Sequence, residues 1–306
     1  VRILALALTL AAASAFANLV TDVRVALSHG ELNRASSLIQ AYRASAGVTP
    51  EMIEALSWMG RGELAAKNLD EAEKYAGETY RLAVVETKKI PLDQNPSLPL
   101  ALGAAIEVEA NVMAARNQRT EAITYLRDQL KRYYATSLRT RIQKNINLLS
   151  MEGKPAPALE HVVLPKGKPV LLFFWAHWCG DCKAEAPILA RIKSEFEPKG
   201  LVLIAPTQKY GYVAGGVDAP ADVELRYIEK IRQERYQDII TSPAPVSEEN
   251  FRRYGASTTP TLVLVDRSGI VRLYHPGAMT YEELRHDVEK LVTASASTHR
   301  AAVNSN

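Results

Sequence analysis

Val170-Leu171-Leu172-Phe173-Phe174-Trp175-Ala176-His177-Trp178-Cys179-Gly180-Asp181-Cys182-Lys183 is the stretch that decides how the chain is read. The apolar run 170–175 is continuous rather than alternating, the mark of a strand covered on both faces. It leads straight into the only two cysteines of the chain. A dithiol delivered by a buried strand to the start of a helix is a redox device. At a helix N-terminus, unpaired backbone N–H groups and the helix dipole favour a negative sulfur. Cys179 is therefore the expected nucleophile, with a lowered pKa. Cys182, one turn on, is placed to attack a mixed disulfide and resolve it.

The segments around this stretch continue the pattern. Residues 201–205 form a second continuous apolar run, and a helix over about 179–197 joins the two as a βαβ crossover. A Gly-rich loop follows at 210–219, then a helix over about 221–237 and a short strand near Ile239-Ile240. Ser247 is positioned to cap a short helix to Tyr254. Residues 261–266 read as the next strand, Arg267-Ser268-Gly269 as a hairpin turn, and 270–274 as its antiparallel partner. A last helix, capped by Thr280, is expected to run to about Val292. The tail, 294–306, is small and polar and is expected to be disordered.

Residues 18–150 have a different character. β-branched clusters are sparse, and Ala, Leu, Glu, Arg and Gln dominate, so the region reads as all-α. Thr49-Pro50-Glu51 combines a capping Thr with Pro at the first helical position. Helices are expected over about 50–67, 69–89, 98–116, 119–134 and 136–151. Gly60, Leu69 and Ala72 fall at tetratricopeptide spacing. The same turn-then-Ala pattern recurs weakly at Ala35 and Ala122, with unequal gaps. Stacked helical hairpins and an irregular helical bundle both fit such stripes. Met151-Glu152-Gly153-Lys154-Pro155-Ala156-Pro157 breaks the chain and is the expected domain boundary.

Composition narrows the function. The chain has 306 residues, 47% of them apolar, and a net charge of +3 from 37 basic and 34 acidic residues. With no basic stripe and interleaved aromatics, nucleic-acid binding is not indicated. Arg2, an apolar run over 3–13 and Ser14-Ala15-Phe16-Ala17 read as a secretory signal peptide, 1–17, cleaved after Ala17. No later stretch reads as a membrane span. Exported cysteines usually form structural bridges. Here a bridge would close so small a loop that it would stabilise little. A structural zinc site needs four ligands, and neither a second cysteine pair nor a spaced pair of histidines is present.

Trp175-Ala176-His177-Trp178-Cys179-Gly180-Asp181-Cys182 resembles the active-site motif of the thioredoxin superfamily. Gly153-Lys154-Pro155-Ala156-Pro157, Gly167-Lys168-Pro169 with the strand after it, Cys182-Lys183-Ala184-Glu185-Ala186-Pro187, Tyr254-Gly255-Ala256-Ser257-Thr258-Thr259-Pro260-Thr261 and Val265-Asp266-Arg267-Ser268-Gly269 are similar, in that order, to the exported TlpA/ResA-like thiol–disulfide oxidoreductases. The resemblance covers about 151–293. It implies an α/β thioredoxin-like fold, a central mixed sheet flanked by helices, preceded here by an all-α helical-hairpin, tetratricopeptide-like domain over 18–150. It implies a cis Pro260 against the cysteine pair, with the Thr259 backbone offering strand-like hydrogen bonds to a substrate segment. It also implies Glu185 as an active-site proton relay and Trp178 as a substrate contact. No cofactor is implied beyond the Cys179–Cys182 disulfide itself.

The resemblance further implies disulfide-containing exported clients and a membrane electron-donor protein as partners. The helical domain would bind a client or partner, or mediate self-association. A disulfide oxidase or isomerase would use the same parts at another potential. A helical binding protein with a redox-sensing domain is a further reading. A thiol peroxidase fits less well, because its reactive thiol needs a different activating site.

Three residues depart from the usual pattern or sit beside it. Phe173 stands where thioredoxins proper carry a buried Asp. His177 is expected to be exposed. Asp181 replaces a frequent Pro inside the Cys-x-x-Cys loop, and its charge should oppose a Cys179 thiolate. Asp181→Pro is therefore expected to lower the Cys179 pKa and make the pair more oxidising. Titration of thiolate absorbance reads this directly, and a pKa that rises or stays put contradicts it.

Overall fold

The computed structural model describes residues 19–242 and 244–303. The expected signal segment, 1–17, and residues 304–306 of the expected tail lie outside these. The chain divides into two compact units, one ending at Ile142 and the other starting at Gln143.

The first unit is helical: α1 (Leu19–Ser28), α2 (Leu32–Ala46), α3 (Pro50–Ala65), α4 (Leu69–Glu86), α5 (Ser97–Ala115) and α6 (Arg119–Arg132). A further helix, α7 (Leu138–Ser150), spans the division. The units therefore part inside α7, before the Pro/Gly break at 151–157. Thr49 caps α3 by accepting the Met52 N–H at 3.2 Å, with Pro50 in the first turn.

The same turn joins α1 to α2, α3 to α4 and α5 to α6. Each has one left-handed residue, Gly30, Lys67 or Asn117. In each, the next residue (Glu31, Asn68, Gln118) donates its N–H 2.9 Å to a carbonyl five positions back, the Schellman closure of a helix end. Ala35, Ala72 and Ala122 then sit fully buried in the second helix of each hairpin. Gly60 brings α3 close to α4: a Cβ there would lie 3.6 Å from Ala72 O and Ala76 N. The pattern faint in the sequence at Ala35 and Ala122 is thus one local geometry used three times.

Helix α5 is long and apolar enough to cross a membrane, contrary to the expectation that no later stretch would be. Its Leu98, Ala101, Leu102, Ile106, Val108 and Val112 are buried inside the first unit, which is how a core helix reads.

The second unit holds a four-stranded sheet in the order β2–β1–β3–β4. The strands are β1 (Val170–Phe174), β2 (Val202–Ile204), β3 (Thr261–Val265) and β4 (Val271–Pro276). β1 pairs parallel with β2 and antiparallel with β3, and β3 pairs antiparallel with β4. α8 (Gly180–Phe196) crosses from β1 to β2, followed by α9 (Ala221–Arg235), α10 (Glu248–Tyr254) and α11 (Tyr281–Val303).

Period-two alternation divides β1 and β3 between two cores. Leu171, Phe173, Leu262 and Leu264 meet Leu189, Ile192 and Phe196 of α8, Ile228 and Ile231 of α9, and Leu284 and Val288 of α11. Val170, Leu172, Phe174, Val263 and Val265 meet Phe251 and Tyr254 of α10, with Met151 and Leu159. Both faces of the sheet are therefore covered, which is why these strands read as unbroken apolar runs.

Two expectations are corrected. Ile239 and Ile240 form no strand: both amides donate to Tyr236 O, at 3.0 and 2.7 Å, closing a turn after α9. Their apolarity serves the core, where both side chains are buried. α11 continues past Val292 to Val303, because residues 293–303 contain neither Gly nor Pro to stop it.

Gly255 ends α10 in the left-handed conformation, at φ +61°. A Cβ there would overlap the backbone of Gln143 and Lys144 in α7. Gly255→Ala combines left-handed strain with a backbone clash and is expected to cost roughly 2–5 kcal/mol. A thermal or urea unfolding midpoint indistinguishable from the parent would refute this packing.

Candidate active site

The carboxyl end of β1 carries the dithiol. Past Phe174 the chain turns over β2. The Trp175 indole N–H donates to Ala205 O at 3.1 Å, and the Thr207 hydroxyl donates to Trp175 O at 2.8 Å. Buried Trp175 packs at 4.8 Å on Tyr236, which also meets Phe173 edge-on at 6.0 Å. With that platform fixed, α8 starts at one defined place.

Cys179 is the N-cap of α8, and its sulfur accepts the Cys182 N–H at 3.0 Å. The two cysteines are joined as a disulfide, with Cα atoms 5.3 Å apart. Both are buried, whereas Trp178 beside them is 48% exposed. Cys179 Sγ lies 3.4 Å from the carbonyl oxygen of Thr259. The Thr259–Pro260 bond is cis, and the Thr259 hydroxyl is buried without a hydrogen-bond partner among the described residues. The structure thus brings Trp178, Cys179, Cys182, Thr259 and Pro260 to one place. A sulfur that receives a backbone N–H at a helix N-terminus is stabilised as the thiolate.

Glu185 follows Cys182 by one turn of α8 and is 2% exposed. The Met279 N–H donates to its Oε1 at 3.3 Å. Burial pushes its carboxyl above the usual carboxylate range, opposed by the Met279 hydrogen bond and by His275. Asp181, in contrast, stands exposed in the first turn of α8. Its charge reaches Cys179 only through solvent, which screens it in part. Phe173 fills the core below the pair, so no carboxylate occupies that position.

His177 corrects the sequence reading: it is 1% exposed rather than at the surface. Its Nε2 lies 3.2 Å from Glu224 Oε1, on α9, and Glu224 is also 1% exposed. The rings of Tyr210, Tyr212 and Tyr227 meet the imidazole edge-on at 5.3–5.6 Å. Burial lowers the imidazole pKa, while Glu224 acts in the opposite sense. Glu224 escaped the sequence reading because it looks like any acidic residue near a helix start. Only the chain crossing shows that it faces inward.

The fold and the dithiol together define a thioredoxin-like protein. Residues 158–291 match the family model described as a thioredoxin-like domain. The thiol:disulfide interchange protein DsbE of Xylella fastidiosa is 27% identical over 167 residues, 49% of this chain and 77% of that protein. The thiol-disulfide oxidoreductase ResA of Geobacillus thermodenitrificans is 25% identical over 130 residues, 41% of this chain and 64% of that one. The solved structure of StoA from Bacillus subtilis aligns with 40% of this chain and 84% of its own, at 22% identity and a TM-score of 0.31. Residues 158–291 thus carry a thioredoxin-like domain, similar there to thiol–disulfide oxidoreductases of the DsbE and ResA type.

The raised carboxyl of Glu185 carries a stability consequence. A folded-state pKa above the unfolded one contributes stability that is present at low pH and lost as pH rises through the folded value. Glu185→Gln removes that loss. The variant is expected to melt higher than the parent at neutral pH, with the gap closing as pH falls below about 4.3, the ordinary Glu range. Melting curves across pH test this, and a gap that is constant or reversed rejects it.

Proposed function

We propose that this chain is an exported thiol–disulfide oxidoreductase that reduces disulfides in client proteins. The observation that carries the reading is the Cys179 sulfur at the N-terminus of α8, accepting the Cys182 N–H and lying beside Thr259. In the reduced protein, the Cys179 thiolate attacks one sulfur of a client disulfide. A Cys179–client disulfide forms, and the first client thiolate leaves and takes up a proton. Cys182, deprotonated, then attacks Cys179 Sγ, and the second client thiolate leaves. Two electrons pass to the client, and Cys179–Cys182 becomes the disulfide.

Glu185, one turn after Cys182 on α8, is the candidate to accept the Cys182 proton, since a carboxyl raised by burial is better matched to a thiol. Thr259 offers backbone to an extended client segment next to cis Pro260, and Trp178 offers an exposed ring. An external dithiol, held by a membrane electron-donor protein, would return the two electrons. Export rests on the leader-like residues 2–17. The helical unit would hold a client, a partner or a second copy.

Asp181 supports the reducing direction, because a negative charge in the first turn disfavours the thiolate and so favours the disulfide form of the pair. The same parts at a higher potential would serve an oxidase or isomerase, which makes the potential decisive. Equilibration with glutathione is expected to give a value nearer about −270 mV than about −120 mV. Cys182→Ala is expected to accumulate mixed disulfides with clients through Cys179, released by dithiothreitol. If that variant traps nothing while the helical unit still retains partners, the binding-protein reading replaces this one.

A further inference from the structure

The Gly-rich segment at 210–219 is an ordered ribbon beside the dithiol. The Ala219 N–H donates to Gly211 O at 2.9 Å, and the Val213 N–H to Val217 O at 2.9 Å. Tyr212 bridges Asp218 across it. Gly215 and Gly216, both with positive φ, close its tip. Its base is held by one side chain: Glu224 accepts the Tyr210 N–H at 2.5 Å and the Gly211 N–H at 2.9 Å. The same carboxylate faces His177 Nε2.

His177 lies two residues before the nucleophile. The buried pair therefore ties the entrance of α8 to the base of the ribbon. The result faces outward at Trp178, whose ring meets Tyr210 edge-on at 5.4 Å. Tyr210 is itself half-buried on the core beneath the cysteines. Two aromatic rings thus stand side by side next to Cys179, held from behind by groups that are out of water.

We infer that Tyr210 and Trp178 form a specificity wall that takes an apolar or aromatic side chain flanking the client cysteine, and that His177 and Glu224 are the positioning residues that hold it. The inference rests on the proposed exchange chemistry and names which clients that chemistry favours. Edge-to-face aromatic surfaces bind flat apolar groups well. Neither ring carries a formal charge, and the Tyr210 hydroxyl is already engaged by the Gln208 side chain. Glu224 reaches the wall only through the Tyr210 backbone and His177. Its loss would leave two amides and an imidazole without their acceptor, loosening the wall without touching either sulfur.

The test uses the full chain, reduced, with two peptide disulfides that differ only in the residue before the cysteine, Phe or Ser. The parent is expected to favour the Phe peptide about tenfold in kcat/KM, the scale of one apolar pocket contact. Tyr210→Ala is expected to bring that ratio close to one, and Tyr210→Phe to keep it. Glu224→Gln is expected to raise KM for the Phe peptide with little change in kcat, a split that general destabilisation would not produce. A parent that reduces both peptides equally overturns the inference and leaves the proposed chemistry standing. So does a ratio unmoved in Tyr210→Ala. A parent that reduces neither peptide removes the proposed function, and this inference with it.

Discussion

Everything at the reactive end depends on β1 being enclosed from both sides. Its alternate residues belong to two different cores, one with α8, α9 and α11 and the other with α10. A strand so held cannot slip in register, because a one-residue shift would exchange its two faces. The point where the chain leaves the sheet is therefore fixed, and with it the first turn of α8. The Trp175 and Thr207 hydrogen bonds to the neighbouring segment carry that rigidity past the strand end. The sulfur of Cys179 then needs no further device to meet helix N–H groups. It occupies the N-cap, a position where an acceptor atom is wanted for structural reasons alone.

The same argument explains the burial pattern of the site. The cysteines and Glu185 sit in the core and gain their chemistry from it: a sulfur from helix N–H groups, a carboxyl from desolvation. Asp181 is at the surface, where solvent weakens its field. Of the two acidic residues near the start of α8, Glu185 is buried and Asp181 is not, so their surroundings differ in kind. Burial raises the Glu185 carboxyl above its ordinary range, whereas Asp181 stands in solvent.

What could be read from the chain follows from locality. The buried strands, the cysteine pair, and the Thr49, Ser247 and Thr280 caps are encoded within a few neighbouring residues. The fold class was legible for that reason. Ile239 and Ile240 were misread because two consecutive β-branched residues serve a core equally well from a turn. The end of α11 was misread because a small, polar composition suggests disorder while containing nothing that breaks a helix. The three equal hairpin turns showed faintly, since their left-handed residues are Gly, Lys and Asn, and only the Gly is conspicuous. His177 and Glu224 were invisible as a pair. They are 47 positions apart, and each has the ordinary surface reading of a His or a helix-start Glu until the ribbon is folded over them.

That pair changes where the individuality of this protein resides. Asp181, inside the motif, is the obvious departure, and it stands at the surface. The ribbon is organised from the inside. A buried carboxylate is expensive unless its acceptor sites are filled, and Glu224 fills them with two consecutive amides of one loop and an imidazole next to the nucleophile. Two of those three partners are in place only when the ribbon is closed, so the burial of Glu224 and the order of the loop depend on each other. Order in the loop, in turn, is what keeps Tyr210 against Trp178. The placement of the dithiol belongs to the strand and the helix, and the placement of Tyr210 beside Trp178 belongs to buried Glu224 and the backbone it gathers.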